Sequence, residues 1–275
     1  MPATLGETGW SIGAEVQWGN TALIQNSGIE SLVVDAETRE ARVTVQRSIN
    51  DRLAFQLQLP YRYTGGGNLD GFIDSWHDFF GMSEGARPQL PSDRLDIFYS
   101  RAGSPRLNMT SSVDGLADIQ ASLGYQVAPS FTAWLSVKVP TGDADKLTGS
   151  GATDVSVLLA TERRLDDRWS VFGQGAVTYL GDGELLSDRQ RSVVWSGLAG
   201  VGARAWRGLS LKAQIDAHSA AFDSNLDFLN EAIVLTVGGD YRFASGWRLD
   251  LGVSEDIAVE RSPDVVFVAG LKRDW

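Results

Sequence analysis

Cysteine is absent from the 275-residue chain, and histidine and methionine are scarce, with two and three copies. The lack of cysteine excludes disulfide scaffolds, zinc–thiolate sites and thiol nucleophiles. No run of about 18 or more apolar residues is present, which excludes a helical membrane protein. No Pro/Ser/Gly tract, charge block or low-complexity stretch interrupts the chain, so we expect one domain over residues 1–275.

Basic residues are also in deficit, with 24 Lys and Arg against 35 Asp and Glu and a formal charge of −11. This balance argues against nucleic acid as a partner. The segment Met1 to Thr8 has neither a basic nor an apolar region, and so is not a signal peptide as it stands. Glycine and tryptophan are abundant, at 30 and nine copies. Glycine weakens helices, and tryptophan favours boundaries between apolar and wet surroundings.

Strict alternation of apolar and polar residues is the strongest pattern in the sequence. In 131–139 the odd positions are Phe, Ala, Leu, Val and Val, whereas the even positions are Thr, Trp, Ser and Lys. A period of two with one apolar face predicts β-strands. The same alternation is found in 117–127, 153–163, 169–179, 193–205, 209–221, 231–243, 247–257 and 265–275.

Two architectures place apolar residues on one face of every strand. A soluble sandwich or barrel buries that face, whereas a transmembrane barrel turns it towards lipid and keeps the polar face in the lumen. Large aromatic residues near strand ends favour the membrane barrel, because aromatic girdles flank its aliphatic band. These aromatics are Tyr125, Phe131, Trp169, Tyr179, Phe243, Trp247 and Trp275.

The connections predict the number of strands. Five short turns alternate with six longer connections, which gives twelve strands in an all-β, antiparallel transmembrane barrel. The short turns lie near residues 50–52, 128–130, 165–168, 207–208 and 244–246, and the longer connections near 19–29, 64–113, 140–150, 181–191, 222–230 and 257–263. Alternation in Arg94 to Arg101 is interpreted as an extracellular hairpin, and fourteen strands remain the alternative.

Two segments carry a family resemblance. GGGNLDGFIDSWHDFFGMSEGARPQLPSDRLDIFYSRAG, residues 65–103, and ESLVVDAET, residues 30–38, resemble a family of Gram-negative outer-membrane proteins with a domain of unknown function. GLADIQASLGYQV and KVPTGDADKLTGSGATD, within residues 115–154, resemble the outer-membrane family of the meta-pathway of phenol degradation. The resemblance implies an outer-membrane location and, from the second family, passage of aromatic or other hydrophobic solutes. Neither family supplies catalytic residues.

Fifteen polar residues fall on the inward face of the predicted strands. They either form an ion-pair lattice that fills a narrow lumen or line a pore wall that selects solutes. On one hairpin, the charges of Asp240, Arg242, Arg248 and Asp250 are expected to meet directly or diagonally. The predicted lumen residues are Arg42, Gln56, Gln58, Arg62, Asp118, Lys138, Asp154, Arg204, Lys212, Asp216, His218, Asp240, Arg242, Arg248 and Asp250.

A short amphipathic helix is predicted in the long loop after Tyr63. Phe72, Ile73, Trp76, Phe79 and Phe80 recur there at helical spacing. Such a helix can cap the pore, fold inward as a plug or rest on the membrane interface. We expect these five residues to form an extracellular cap, in which Phe72, Trp76 and Phe79 dock on the rim and narrow the entrance.

Two other patterns carry less information about chemistry. Asp74, His77 and Asp78 share a helical face, but one histidine with solvated carboxylates is a weak metal site. The acidic loop Pro140 to Asp154 lacks EF-hand spacing and predicts a solvated turn. We therefore expect neither a metal nor a cofactor.

A passive outer-membrane channel or transporter for small solutes, including hydrophobic ones, is the preferred function. The alternatives are a closed structural barrel and an outer-membrane lipid hydrolase. The hydrolase would need an activated serine, but neither His77 nor His218 lies in a His-x-Ser arrangement, so we expect no enzyme. The expected partners are outer-membrane lipid, lipopolysaccharide and a small-molecule solute. The oligomeric state is not predicted.

Overall fold

The computed structural model describes residues 1, 5, 8–81, 85–257 and 261–275, and of Phe80 only the backbone. Within these residues, none of the helices has the length and apolar character needed to cross a membrane. The one α-helix is α1 (Asp70–Phe80). The strands are β1 (Gly9–Asn26), β2 (Glu30–Asn50), β3 (Leu53–Gly65), β4 (Asp96–Arg101), β5 (Ser104–Met109), β6 (Val113–Leu116), β7 (Ile119–Ala128), β8 (Phe131–Val139), β9 (Asp154–Arg164), β10 (Trp169–Tyr179), β11 (Val193–Trp206), β12 (Leu209–His218), β13 (Ala232–Arg242), β14 (Trp247–Asp256) and β15 (Val265–Asp274).

Twelve strands close into an antiparallel barrel, which confirms the predicted fold class. Each barrel strand pairs with the barrel strands before and after it, and β1 pairs with β15 from Ser11↔Asp274 to Asn20↔Val265. β6 and β7 both pair with β3 and together form one wall strand. β4 and β5 form a hairpin that pairs only with the far end of β2. The hairpin interpretation of 94–101 is therefore confirmed, and fourteen strands are not formed.

The apolar face of the barrel points outward. Side chains such as Leu135 and Val157 are 50% and 53% exposed, whereas Ser136, which follows Leu135 in the sequence, is buried. Exposed aromatic residues flank the aliphatic band at both ends, as an aromatic girdle requires. They include Trp10, Phe55, Tyr125, Phe131, Trp169, Tyr241, Phe243 and Trp275 at the short-turn end and Tyr61, Tyr179 and Trp195 at the other end.

The longest strands, β1 and β2, continue beyond the barrel as an extended hairpin. Their register runs without a break from Gly9↔Ser48 to Asn26↔Ser31. The predicted loop over 19–29 is therefore wrong, because only Ser27, Gly28 and Ile29 separate the strands. Gly28 has a φ of +73°, the left-handed conformation that lets this short turn close. The alternation of apolar and polar residues did not predict the extension, because side chains on both of its faces are buried and the sequence there does not alternate.

Apolar side chains from both sides of the mouth at the long-loop end of the barrel meet in one buried cluster, which we call the roof. Of its partly buried members, Leu107 and Val113 lie on β5 and β6, and Leu147, Leu186 and Phe228 come from the loops that follow β8, β10 and β12. Because these loops rise from strands across the barrel from β2, the cluster spans the mouth. The buried roof residues are Leu23, Leu32, Val34, Ala36, Leu95, Ile97, Tyr99, Met109 and Leu226.

Candidate functional site

One charged cluster on the lumen wall joins three predicted residues. Lys138 Nζ lies 2.9 Å from Asp118 Oδ2 and 2.7 Å from Asp154 Oδ2. Asp118 also accepts hydrogen bonds from the backbone N–H groups of Gly142 and Ser150. The cluster thus ties the wall to the loop between β8 and β9, and it explains why that glycine-rich, acidic loop is folded.

A second cluster lies on β12–β14, with a pairing that differs from the predicted one. In register, Asp240 faces Asp250 and Arg242 faces Arg248, so like charges are directly opposite. Lys212 of the neighbouring strand provides the compensating charge, 2.5 Å from Asp240 Oδ1 and 3.6 Å from Asp250 Oδ1. Arg248 Nε lies 2.9 Å from Asp250 Oδ2. Asp240 is therefore neutralised by Lys212 rather than by Arg242.

A third cluster lines β1–β3. Arg42 contacts Glu40 at 2.5 Å and Glu15 at 3.5 Å, and Arg62 contacts Glu40 at 2.7 Å. Arg62 Nη1 also donates to the Leu147 carbonyl oxygen at 2.9 Å, which links this wall to the roof. Positive and negative groups alternate across three strands, so every charge named here has a counterion.

The remaining predicted lumen residues fall into two groups. Gln56, Gln58 and Asp216 are buried or half-buried on the inward face. Arg204, Arg242 and His218 are exposed near strand ends, where they do not contribute to the paired lattice. The prediction that all fifteen line the lumen remains a proposal.

An apolar stripe on the lumen wall was not predicted. Trp134, Leu158, Phe172, Leu198 and Val234 occupy inward positions on β8, β9, β10, β11 and β13. Trp134 is 1% exposed and lies against Gly124, where a β-carbon would come within 2.8 Å of its ring. These residues occupy even positions, like the polar residues of the inward face. The alternation of the sequence could therefore have placed them in the lumen.

Neutralising single charges of the second cluster tests the pairing. Lys212→Met should lower the free energy of unfolding by about 1–2 kcal/mol, because Asp240 then faces Asp250 without its lysine, while Asp250 keeps Arg248 and partial exposure screens both carboxylates. Lys212→Met combined with Asp240→Asn should recover part of that loss. Unfolding titrations in lipid vesicles measure both. Arg242→Gln is the control and should change little; a larger loss from Arg242→Gln than from Lys212→Met would contradict the pairing.

The contacts of α1 correct the predicted cap. Ile73 is buried against Val265, and Phe72 and Trp76 meet the Phe267 ring edge-on at 5.8 and 6.3 Å. Val265 and Phe267 share the outward face with exposed Leu271. The helix therefore rests on the outside of the wall and does not narrow the entrance. Phe79 is 82% exposed, and the side chain of Phe80 lies outside the described residues.

A buried arginine holds the segment around α1 in place. Arg87 lies within 3.1 Å of carboxylate oxygens of Asp70, Asp74 and Asp264, and its Nη1 donates to Asn20 Oδ1 at 2.6 Å. Burial raises the pKa of Asp264 to about 6, against the opposing effect of Arg87. The apolar residues of α1 and this polar network together hold the helix outside the barrel.

A buried carboxylate connects the roof to the loop after β12. Glu30 accepts hydrogen bonds from Tyr99 Oη at 2.7 Å, Ser224 Oγ at 3.2 Å and the Asn225 backbone N–H at 3.0 Å. Burial opposes the charged form, yet the hydrogen bonds from Asn225, Tyr99 and Ser224 lower the pKa of Glu30 overall. Glu30 therefore stays ionised at neutral pH and fastens the β1–β2 extension across the mouth.

Two further features complete the site. The N-terminal segment touches the lumen wall, because Gln174 Nε2 donates to the Met1 carbonyl oxygen and the Leu5 N–H donates to Gln126 Oε1. In the described part of the chain, no group of three or more His, Asp or Glu residues is arranged to hold a metal. Asp74, one of the weak candidates, is instead paired with Arg87.

Comparison with known proteins identifies the family. The family described as "Protein of unknown function (DUF3187)" matches residues 2–275, so the chain belongs to it. This confirms the resemblance to a family of unknown function; the relation to the phenol-degradation family stays a prediction. None of the curated proteins matches the chain.

Solved structures share the fold at low sequence identity. The COG4313 outer membrane channel from Pseudomonas putida F1 is 17% identical, with a TM-score of 0.65 over 99% of this chain and 98% of that one. The NanC porin is 8% identical, with a TM-score of 0.50 over 96% and 97%. The translocator domain of autotransporter NalP from Neisseria meningitidis is 12% identical, with a TM-score of 0.50 over 98% and 90%. Such similarity establishes the barrel fold alone.

Proposed function

We propose that this member of the DUF3187 family is a passive channel in the bacterial outer membrane for small solutes that combine an apolar body with a polar group. The observation that supports this most strongly is the division of the lumen wall. The apolar stripe on β8–β13 shares the lumen wall with the paired charges of the three clusters, some of which lie on the same strands. A purely structural filling would have no need for large apolar residues beside an ion-pair lattice.

The paired charges suit passage without strong binding. Each lysine of the three clusters, and each arginine except Arg242, has a carboxylate partner within 3.6 Å, so most of the charge that these clusters present to a passing solute is compensated. Conduction requires binding that is weak enough for release, and compensated charges meet that requirement. The apolar stripe then lowers the cost of moving an apolar body through the lumen.

The roof sets the condition for passage. Its apolar cluster spans the mouth, so we expect solutes to enter when the roof moves aside. Loop contacts such as those of Glu30 and Arg62 are hydrogen bonds and ion pairs at the edge of an apolar core. Local opening of such an edge needs less free energy than unfolding of the barrel wall.

Liposome swelling tests the proposed channel. Vesicles that contain the refolded protein should admit benzyl alcohol-sized neutral solutes faster than sugars of similar mass, because only the former use the apolar stripe. Leu198→Asn should reduce that preference, while Leu235→Asn on the outer face serves as the matched control. Equal swelling with and without protein for every solute would contradict a channel.

A closed structural barrel is the alternative that the roof favours, because the apolar cluster spans the mouth. Planar-bilayer recordings separate the two functions. A channel should show conductance steps in the wild type or once the roof is loosened, whereas a structural barrel should remain silent in both.

A further inference from the structure

We propose that the lumen holds a binding site for a small apolar molecule with one hydrogen-bond-donating head group, an ammonium or a hydroxyl, which Asp216 receives. The inference rests on the proposed channel function and adds to it a site and a chemical class of solute. The site is a pocket of about 200 Å³ on the inward faces of β9–β13, lined by Leu158, Gln174, Ser196, Leu198, Asp216 and His218.

The size of the pocket limits the ligand. An engineered protein cavity of about 150 Å³ holds benzene. A pocket of about 200 Å³ therefore accommodates one six-membered ring with a short substituent. Larger solutes would have to leave part of their surface in the water of the lumen.

The strand register surrounds the carboxylate of Asp216 with apolar side chains. Leu198 and Val234 are its direct cross-strand neighbours on either side. Leu158 lies on the next row, opposite Ala176. A ligand whose head group reaches Asp216 therefore lays its body on these aliphatic side chains, which removes apolar surface from water.

Asp216 differs from the other lumen carboxylates in its partners. Asp118, Asp154, Asp240 and Asp250 each lie within 4.0 Å of a lysine. No lysine or arginine of the described residues lies that close to Asp216. Gln214 Nε2 donates to both of its oxygens at 3.0 and 2.9 Å, and Thr236 Oγ1 donates at 3.1 Å.

This set of partners decides which head groups are favoured. A carboxylate offers about four acceptor positions, and these neutral donors leave its charge uncompensated. An ammonium group gains a charge-assisted hydrogen bond, a hydroxyl gains a weaker one, and an anionic head group is repelled. Gln174 faces the same space but donates to the Met1 carbonyl oxygen, so Asp216 is the principal acceptor for the ligand.

Calorimetric titration of the folded barrel in detergent, with four probes that share one ring, tests the site. We expect affinity to fall in the order benzylamine, benzyl alcohol, toluene, with no binding of benzoate. Asp216→Asn should weaken benzylamine about ten-fold, the effect of losing a charged hydrogen-bond acceptor, and leave toluene unchanged. Asp240→Asn removes the same charge elsewhere in the lumen and should preserve the order.

Heat-modified mobility on gels confirms folding of each variant. If Asp216→Asn does not fold, Leu198→Asn provides the second test and should weaken all three binding probes. Benzoate binding as tight as benzylamine binding, or an unchanged order in Asp216→Asn, would overturn the site. Binding is measured without transport, so a silent barrel that binds benzylamine would refute the channel and not the site, and a conducting barrel without binding would refute only the site.

Discussion

Replacing both Glu30 and Tyr99 with alanine is expected to turn a mostly closed barrel into a conducting one. Tyr99 is 2% exposed in the roof, and truncation of a large buried aromatic residue costs about 3–5 kcal/mol. If that cost falls on the closed roof alone, its opening equilibrium shifts by about two to four orders of magnitude. Glu30 is replaced in the same variant because its buried carboxylate would otherwise lose the hydrogen bond that Tyr99 donates.

Single-channel recording in planar bilayers measures this result as a rise in open probability. Phe72→Ala with Trp76→Ala is the matched control, because it removes two large aromatic residues from α1 outside the wall. We expect the control to leave open probability unchanged. A rise in open probability in the α1 variant but not in the roof variant would indicate that the helix, and not the roof, closes the mouth. Silence of a folded roof variant would favour the structural barrel.

Leu135→Arg is expected to destabilise the barrel by about 2–4 kcal/mol, since Leu135 is 50% exposed on the outward face at the middle of β8. A guanidinium there would sit in hydrocarbon without a partner. Unfolding titrations of the protein in lipid vesicles measure the change in free energy. The reverse assignment of the two faces would remove the penalty, because the arginine would then reach water.

Gln214→Arg is the control for this substitution. Gln214 lies at the middle of β12 on the inward face, and its side chain already donates to Asp216. The new arginine can pair with that carboxylate, so we expect a change below about 1 kcal/mol in either direction. Equal losses in the two variants would show that both positions face the same environment.

The sequence alone determined the barrel, its strand number and the outward direction of its apolar face. These properties are local: alternation such as that of 131–139 repeats along each strand, and turns such as Arg207-Gly208 mark each reversal. Hydrocarbon outside and water inside enforce the same alternation on every strand. The hairpin at 94–101 was also predicted correctly, because its alternation lies within an otherwise irregular loop.

Only the tertiary structure decided where α1 lies, which charges pair and what closes the mouth. An amphipathic stripe shows that α1 needs an apolar partner, but Val265 and Phe267 lie about 190 residues further along the chain. Likewise, Asp240 shares a hairpin with Arg242, yet strand register places Lys212 beside it. The roof depends on loops from distant strands that contact Leu32 and Tyr99. The alternation of residues within one strand cannot predict such contacts. These contacts join residues far apart in sequence, so only folding of the whole barrel defines them.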